Sequence, residues 1–193
     1  DERSRYLLVE NRKVENYVDM ALYYARMDAV YKDYMIAETN LQEVAQQVLL
    51  QNKYYLIQSH VKAEVACPDT VYSDKKWIAF ILNQLIQNSV KYGRSEGTHI
   101  QIVTKKTKRG VLLRVKDDGI GIPKEELPRI FEKGFTGTNG RNRERSTGMG
   151  LYLCRKLCDK LNIEIRAESA EGKGTEIILM FPVSEYLTSY RET

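Results

Sequence analysis

The stretch from residue 115 to 123 constrains this chain more than any other part of it. Residues 111–115 alternate in the manner of a strand and lead directly to Asp117, Gly119 and Gly121. Glycines at such a turn let the backbone approach a flat ligand closely, and a carboxylate accepts hydrogen bonds from an exocyclic amine. An ordinary turn has the same pattern, so the interpretation depends on three further segments.

The first of these segments is a predicted helix with a polar stripe. Gln84, Asn88, Lys91 and Tyr92 recur at helical spacing, which places them on one face. An amide oxygen can bind a hard cation and lysine neutralises phosphate, although a solvated surface face would show the same stripe. The opposite face is apolar and is predicted to lie in the core: Trp77, Ile78, Ile81, Leu82, Leu85 and Ile86.

The other two segments are short and contain glycine. One, 129–135, includes Phe131, Lys133 and Gly134, and the other, 146–151, opens an amphipathic helix. Backbone N–H groups at a helix N-terminus bind phosphate oxygens. Residues 136–145, between them, are rich in Gly, Asn and Arg and predict a mobile lid over the ligand. The lid cations are either phosphate contacts or a solvated basic loop: Lys133, Arg141, Arg143 and Arg145.

Length and charge limit the remaining possibilities. A chain of 193 residues fits one medium domain with an appendage. Its net charge of +4, without a basic stripe carrying aromatics, argues against a nucleic-acid partner. No apolar run reaches the roughly 18 residues of a membrane span, and no signal peptide is recognised. Cys154 and Cys158 are in phase with apolar positions, so we expect them, like Cys67, to be structural residues in a reducing compartment rather than metal ligands.

The order of predicted elements favours a two-layer α/β sandwich, a mixed sheet covered on one face by helices and preceded by a long helix. The long helix is expected over 6–34. Thr39 or Asn40 is expected to cap a helix beginning at 41, and Ser73 or Asp74 the helix with the polar stripe. A short helix is predicted over 123–127 and another over 148–161. The predicted strands are 61–66, 71–72, 98–104, 111–116, 163–168 and 175–181.

These four motifs, in this order, resemble the N, G1, F and G2 boxes of bacterial sensor histidine kinases. The ATP-binding domain of those kinases belongs to the superfamily shared by gyrase, the heat-shock chaperone ATPase and the mismatch-repair ATPase. The resemblance covers residues 41–183, and 172–175 is similar to the family's Gly-x-Gly-Thr ending. It implies a fold of the histidine kinase ATPase type.

The resemblance also assigns roles to individual residues. Asp117 would accept a hydrogen bond from the adenine amine, and Asn88 would bind Mg2+. Gln84, Asn88 and Lys91 form the implied catalytic set, with Gln84 placing water or the metal shell because an amide is no base. The implied contacts to ATP and its Mg2+ are Asn88, Lys91, Tyr92, Asp117, Gly119, Gly121, Ile122, Phe131, Lys133, Gly134, Thr147, Gly148, Met149, Gly150, Leu151 and Thr175.

Residues 18–26 resemble the second helix of the kinases' dimerisation hairpin, in the bacitracin-sensor-like subgroup that responds to cell-envelope peptides. The phosphate-accepting histidine of the family lies on the first hairpin helix, whereas His60 and His99 adjoin predicted strands. We therefore expect a fragment with a partial hairpin at 1–36, an ATP-binding catalytic domain at 37–185 and a tail at 186–193.

The function implied is transfer of the γ-phosphoryl of ATP to a histidine outside this chain, for relay to an aspartate of a response regulator receiver domain. The resemblance also implies a homodimer through the hairpin, a peptide-sensing ABC transporter as a further partner, and a cytoplasmic location within a membrane sensor protein. A serine kinase or ATPase of the same fold, and a non-catalytic nucleotide-binding dimerisation module, are the alternatives.

Overall fold

The computed structural model describes residues 2–26, 34–138 and 147–183. The helix predicted from residue 41 and the helix predicted to carry the polar stripe are both present, each with one of its expected capping residues. In the described parts the elements follow in this order: α1 (Glu2–Arg26), β1 (Ala37–Asn40), α2 (Leu41–Gln51), α3 (Lys53–Gln58), β2 (Val61–Ala66), β3 (Thr70–Ser73), α4 (Lys75–Lys91), β4 (Thr98–Thr107), β5 (Gly110–Asp117), α5 (Gly150–Lys160), β6 (Glu164–Ala170) and β7 (Gly174–Pro182). Asn40 Oδ1 accepts from the Glu43 N–H at the start of α2, and Asp74 Oδ1 accepts from the Lys76 and Trp77 N–H groups at the start of α4.

A five-stranded mixed sheet, ordered β2-β4-β5-β7-β6, forms one layer of the fold. All its pairs are antiparallel except β2–β4, which is parallel, so α4 lies within the crossover between those two strands. The predicted α/β sandwich is confirmed. The prediction placed the strand at 71–72 in the same sheet, but β3 instead pairs with β1 in a separate two-stranded sheet. β1 was not predicted, because residues 37–40 have no alternation of apolar and polar side chains.

The core lies between this sheet and helices α2, α4 and α5. Alternate residues of the central strands are buried, among them Ile102, Leu113 and Leu179, and so is the predicted apolar face of α4. Cys154 and Cys158 are buried in the same core, which confirms their structural reading. Burial raises the pKa of the Cys158 thiol to about 12, so it is protonated and unreactive at neutral pH.

Helix α1 packs on the domain through its last turns. The Tyr23 ring lies 4.6 Å from the Trp77 ring and 4.4 Å from Phe80, measured between centroids. The predicted helix over 6–34 is confirmed as far as Arg26. Residues 27–33 lie outside the described residues, and Tyr34 is not helical. Within the described part of the chain, no helix has the length and apolar character to cross a membrane.

Two predicted helix boundaries are wrong near the ligand motifs. The helix expected over 123–127 is replaced by a turn and a single 3-10 helix, Leu127–Arg129. The helix expected from Gly148 begins instead at Gly150, because Gly148 has a φ of +65°, which no right-handed helix permits. The helix was predicted to end at 161 and ends at Lys160, and Asn162 two residues later has a φ of +56°.

Candidate functional site

A cleft opens between α4 and the β5–β7 part of the sheet. It encloses about 810 Å³ of empty space, which includes open solvent at its mouth. Among the residues predicted from the sequence, seven line it: Asn88, Tyr92, Asp117, Gly121, Ile122, Leu151 and Thr175. We call the part around Asp117, Gly121 and Thr175 the carboxylate end. We call the side on which Leu151 of α5 lines the cleft, with Gln84, Gly148 and Gly150 behind it, the helix end.

Asp117, the last residue of β5, is held by three hydrogen bonds. Its Oδ2 accepts from the Ser89 hydroxyl at 2.8 Å, and its Oδ1 accepts from the N–H groups of Gly119 at 3.0 Å and Thr175 at 3.1 Å. Burial raises the pKa of this carboxyl, while the three hydrogen bonds act against that shift. The carboxylate thus has a fixed direction, and Oδ2 retains acceptor capacity for a ligand in the cleft.

The two glycines of the turn after Asp117, Gly119 and Gly121, have no space for a Cβ. Gly121 has a φ of +72°, and a Cβ built on it would lie 2.0 Å from the Ala170 carbonyl oxygen. The Ile120 N–H donates to the Tyr92 carbonyl at 3.0 Å, so the turn is attached to the end of α4. Glycine is required at Gly121 both by the backbone angle and by the approach of β6.

The predicted polar stripe of α4 divides in the structure. Asn88 and Tyr92 line the cleft, and the Lys91 ammonium lies 5.9 Å from the Tyr92 ring centroid. Gln84 is 95% buried, since only 5% of it is exposed. Its Nε2 has no hydrogen-bond partner among the described residues. The solvated-face interpretation is therefore wrong for Gln84.

Gln84 and the start of α5 meet at the helix end. A Cβ built on Gly150 would lie 2.9 Å from Gln84 Oε1, so the helix N-terminus and the buried amide are close neighbours. Gly148 is fixed beside them, because its carbonyl accepts from the Gly134 N–H at 3.0 Å. Helix N-terminal N–H groups suit an anionic oxygen atom, and the buried Gln84 Nε2 is a donor without a partner among the described residues. Thr147 and Met149 belong to the same turn, where the Met149 N–H donates to the Thr147 hydroxyl at 3.3 Å.

Two residues predicted for this site lie elsewhere. Phe131 packs against the hydrophobic core. The Lys133 ammonium contacts the Tyr24 hydroxyl of α1 and lies 4.7 Å from the centre of the Tyr24 ring. This contact raises the pKa of Lys133. The role predicted for Lys133 at the phosphates thus remains a prediction, and Arg141, Arg143 and Arg145 lie outside the described residues.

The sequence analysis missed two polar residues of the cleft. Ser89 lies off the i, i+4, i+7 stripe, although a serine inside an otherwise apolar helix face is a signal that it has a polar partner. Glu126 lines the cleft, and its Oε1 accepts from the N–H and the hydroxyl of Thr138 at 2.8 and 2.6 Å. No spacing rule connects Glu126 to the other motifs, because it lies in the irregular segment after Pro123.

The described residues contain no group of three or more His, Cys, Asp or Glu side chains that could hold a metal ion by themselves. Asn88, the metal ligand predicted from the sequence, lines the cleft. This arrangement suits Mg2+, which retains water and takes phosphate oxygens.

Comparison with known proteins agrees with this geometry. Residues 73–185 match the family described as histidine kinase-, DNA gyrase B-, and HSP90-like ATPase. The chain is 34% identical to the sensor histidine kinase YxdK of Bacillus subtilis over 89% of its own length and 54% of that protein. It is 36% identical to the sensor protein kinase GraS of Staphylococcus aureus over 94% of its length and 53% of that protein. The chain thus spans about half the length of these relatives.

Solved structures of the histidine kinase ThkA have the same fold. The catalytic domain of ThkA superposes with a TM-score of 0.66 at 26% identity, over 77% of this chain and 97% of that one. ThkA in complex with the response regulator protein TrrA superposes with a TM-score of 0.67 at 24% identity, over 91% and 48%. Because the family match covers more than half of its residues, the chain belongs to the histidine kinase-, DNA gyrase B- and HSP90-like ATPases, and it resembles the ATPase domain of bacterial sensor histidine kinases.

Proposed function

We propose that this chain is the ATP-binding catalytic part of a sensor histidine kinase, and that it transfers the γ-phosphoryl of ATP to a histidine outside this chain. The observation that carries the proposal is the direction of the Asp117 carboxylate, set by Ser89, Gly119 and Thr175. A fixed, partly desolvated acceptor selects the amine of adenine over the carbonyl oxygen that guanine has in the same position.

The cleft residues would divide the nucleotide between them. Asp117 accepts from the adenine amine, while Gly121 and Ile122 form a wall for the base. At the helix end, the Gln84 amide and the first N–H groups of α5 would donate to phosphate oxygens.

Mg2+, when bound with ATP, would neutralise charge on the phosphate oxygens during transfer. Asn88 is the residue that would hold it, through its side-chain oxygen, because it lines the cleft on the same helix as Gln84. The residues present fit such an ion only together with phosphate oxygens and water.

Positioning and charge stabilisation would supply the catalysis. In the transfer, a bond forms between a histidine nitrogen and the γ-phosphorus while the bond to the β–γ bridging oxygen breaks, so ADP leaves. Gln84 cannot act as a base, because an amide does not accept a proton at neutral pH. His60 has a φ of +53° in a turn, and His99 lies in β4 with Nε2 3.2 Å from Glu64 Oε1. Neither has the helical setting expected of an acceptor, which supports an acceptor outside this chain.

The partners of the parent protein belong to the same proposal. The names of YxdK and GraS, and the complex of ThkA with TrrA, support a response regulator receiver domain as the next acceptor of the phosphoryl group. Exposed apolar residues of α1, among them Leu7, Val14 and Val18, support a homodimer through the helical hairpin. A cytoplasmic position in a membrane sensor protein and contact with a peptide-sensing ABC transporter follow from the likeness to the peptide-responsive subgroup.

Calorimetric titration with a non-hydrolysable ATP analogue, with and without Mg2+, tests the binding part of the proposal. We expect Mg-dependent binding and at least tenfold weaker binding of the matching GTP analogue. The transfer part is tested by adding ATP and a separately produced hairpin helix that carries the acceptor histidine. An acid-labile phosphoryl product on that helix is expected, whereas an acid-stable product would indicate a serine kinase.

Two variants of Asn88 separate metal binding from folding. Asn88→Ala removes the oxygen ligand and should abolish Mg-dependent transfer, while Asn88→Asp retains an oxygen and should keep part of it. Undiminished transfer by Asn88→Ala would refute the metal assignment. Absence of nucleotide binding by the unmodified chain would refute the proposed site.

A further inference from the structure

The loop between α4 and β4 contains an arginine that none of the motifs includes. Arg94 Nε donates to the Asp118 carbonyl at 2.7 Å, and Arg94 Nη2 donates to the Gly172 carbonyl at 2.5 Å. Its own backbone is fixed, because the Arg94 N–H donates to the Thr98 hydroxyl at 2.8 Å. The side chain is therefore anchored at the end of α4 and bridges two backbone segments that are 54 residues apart in sequence.

The two carbonyls belong to the turns that orient Asp117. Asp118 lies between Asp117 and Gly119, whose N–H donates to Asp117 Oδ1. Gly172 lies in the β6–β7 turn, three residues before Thr175, whose N–H donates to the same oxygen. The turns also touch directly, since the Gly172 N–H donates to the Ile120 carbonyl at 2.7 Å.

We propose that Arg94 is a positioning residue for recognition of the nucleotide base: it holds the Gly119 turn and the β6–β7 turn together, so that both N–H groups aim the Asp117 carboxylate into the cleft. The inference rests on the proposed function, because it concerns the same nucleotide site. Arg94 itself does not line the cleft; it acts through Asp117.

The chemistry of the guanidinium explains why arginine suits this role. Its N–H donors are arranged in a rigid plane and are always charged, so one side chain can satisfy two carbonyls in a fixed relative position. A lysine ammonium has the same charge but no planar fork, and its flexible stem would not hold both turns in register. Because Arg94 is exposed, it adds little to stability, and its main effect is on the direction of the acceptor.

Three variants of the full chain test this inference: Arg94→Ala, Arg94→Lys and, as control, Arg109→Ala. Arg109 lies in the β4–β5 turn, is also exposed and does not line the cleft. Its side chain makes an ion pair with Glu164 at the start of β6. Affinities for non-hydrolysable ATP and GTP analogues are measured for each variant by calorimetry. The pKa of Asp117 and the exchange rates of the Gly119 and Thr175 amides are followed by NMR without any ligand.

We expect Arg94→Ala to weaken binding of the ATP analogue about tenfold and binding of the GTP analogue less than about twofold, so that base selectivity falls. The pKa of Asp117 should rise, because its two backbone donors lower that pKa in the unmodified protein. Exchange of the Gly119 and Thr175 amides should accelerate. Arg94→Lys should behave mostly like Arg94→Ala, and Arg109→Ala like the unmodified chain.

Equal losses for both nucleotides would mean a general structural role and would overturn the inference. So would recovery by Arg94→Lys, which would show that only the charge matters, or unchanged NMR signals in Arg94→Ala. The NMR measurements need no nucleotide, so they separate this inference from the proposed function. If the unmodified chain binds no nucleotide, the proposed function fails, whereas an unaltered Asp117 in Arg94→Ala refutes the role of Arg94 alone.

Discussion

The carboxylate end and the helix end of the cleft are built differently. At the carboxylate end, Asp117 receives hydrogen bonds from a helix, from its own turn and from β7, and each donor is backbone or a short side chain. At the helix end, Gln84 Nε2 has no partner among the described residues, and Lys133 contacts α1. The Asp117 acceptor is thus held in place without a ligand, while the Gln84 donor at the helix end has no partner among the described residues to hold it. This difference suggests that base selectivity is preorganised and that the phosphate contacts form on binding.

The strongest test of this comparison is Asp117→Asn. The variant places an amide N–H₂ where the adenine amine needs an acceptor, so we expect affinity for the ATP analogue to fall at least about 100-fold. The fold should be retained, since Asn can keep the bonds from Gly119 and Thr175 and its amide can donate to the Ser89 hydroxyl. Calorimetry measures the affinity, and thermal unfolding measures the stability.

The raised pKa of Asp117 gives the sign of the stability change in that experiment. A carboxyl whose pKa is higher in the folded than in the unfolded state loses stabilisation as pH rises between those two values. At neutral pH its charge is therefore a cost to the fold, and Asp117→Asn should melt no lower than the unmodified chain. A lower melting temperature together with unchanged ATP affinity would reverse our assignment of this residue.

The helix end is tested next by Gly148→Ala. A Cβ at Gly148 would lie 2.4 Å from the Gly134 carbonyl carbon at a φ of +65°, so the backbone before α5 must shift. We expect about tenfold weaker binding of the ATP analogue and little change for adenosine, which has no phosphate.

Gly134→Ala is the matched control, because Gly134 has a φ of +74° but no atom within 4 Å of its added Cβ. It carries the same backbone strain, about 1–2 kcal/mol, without the clash, so its ATP affinity should fall less. If adenosine and ATP lose affinity equally in Gly148→Ala, the two ends of the cleft are not independent.

A smaller effect is expected from Ser89→Ala at the carboxylate end. Its hydroxyl hydrogen bond lowers the pKa of Asp117, so its removal should raise that pKa further. The deprotonated carboxylate is the acceptor. As the pH is lowered, affinity for the ATP analogue should therefore begin to fall at a higher pH in Ser89→Ala than in the unmodified chain. At neutral pH we expect a loss of about three- to tenfold. A pH profile of binding that does not move would show that Ser89 leaves Asp117 unaffected.

The smallest effect is expected from Lys133→Met. In the structure this lysine contacts Tyr24 at a fully exposed position, where solvent screens such contacts strongly. We therefore expect less than about threefold change in affinity for the ATP analogue, with Tyr24→Phe as the companion variant. A larger loss that is specific for the triphosphate would show that Lys133 leaves Tyr24 to bind phosphate. The helix end would then include a residue that changes partner when the nucleotide binds.

The sequence predicted those parts of the fold and site that depend on local patterns. Asp117 at the end of an alternating strand, the apolar face of α4 and the Asp74 cap all follow from spacing within a few residues. The parallel pairing of β2 with β4 does not follow from local spacing, because the two strands are joined by a crossover that contains β3 and α4. Ser89 and Arg94 were missed for the same reason: their partners, Asp117, Asp118 and Gly172, lie more than twenty residues away. Long-range hydrogen bonds leave no periodic trace in the sequence.

The position of β7 has a consequence for the synthesis of the protein. It is the last strand in the described part of the chain, yet it lies between β5 and β6, and Thr175 at its start supplies one of the amides that orient Asp117. A nascent chain still on the ribosome can therefore hold the motifs around Asn88 and Asp117 without a working site. A bound nucleotide would therefore stabilise only chains in which β7 has been synthesised and has paired with β5.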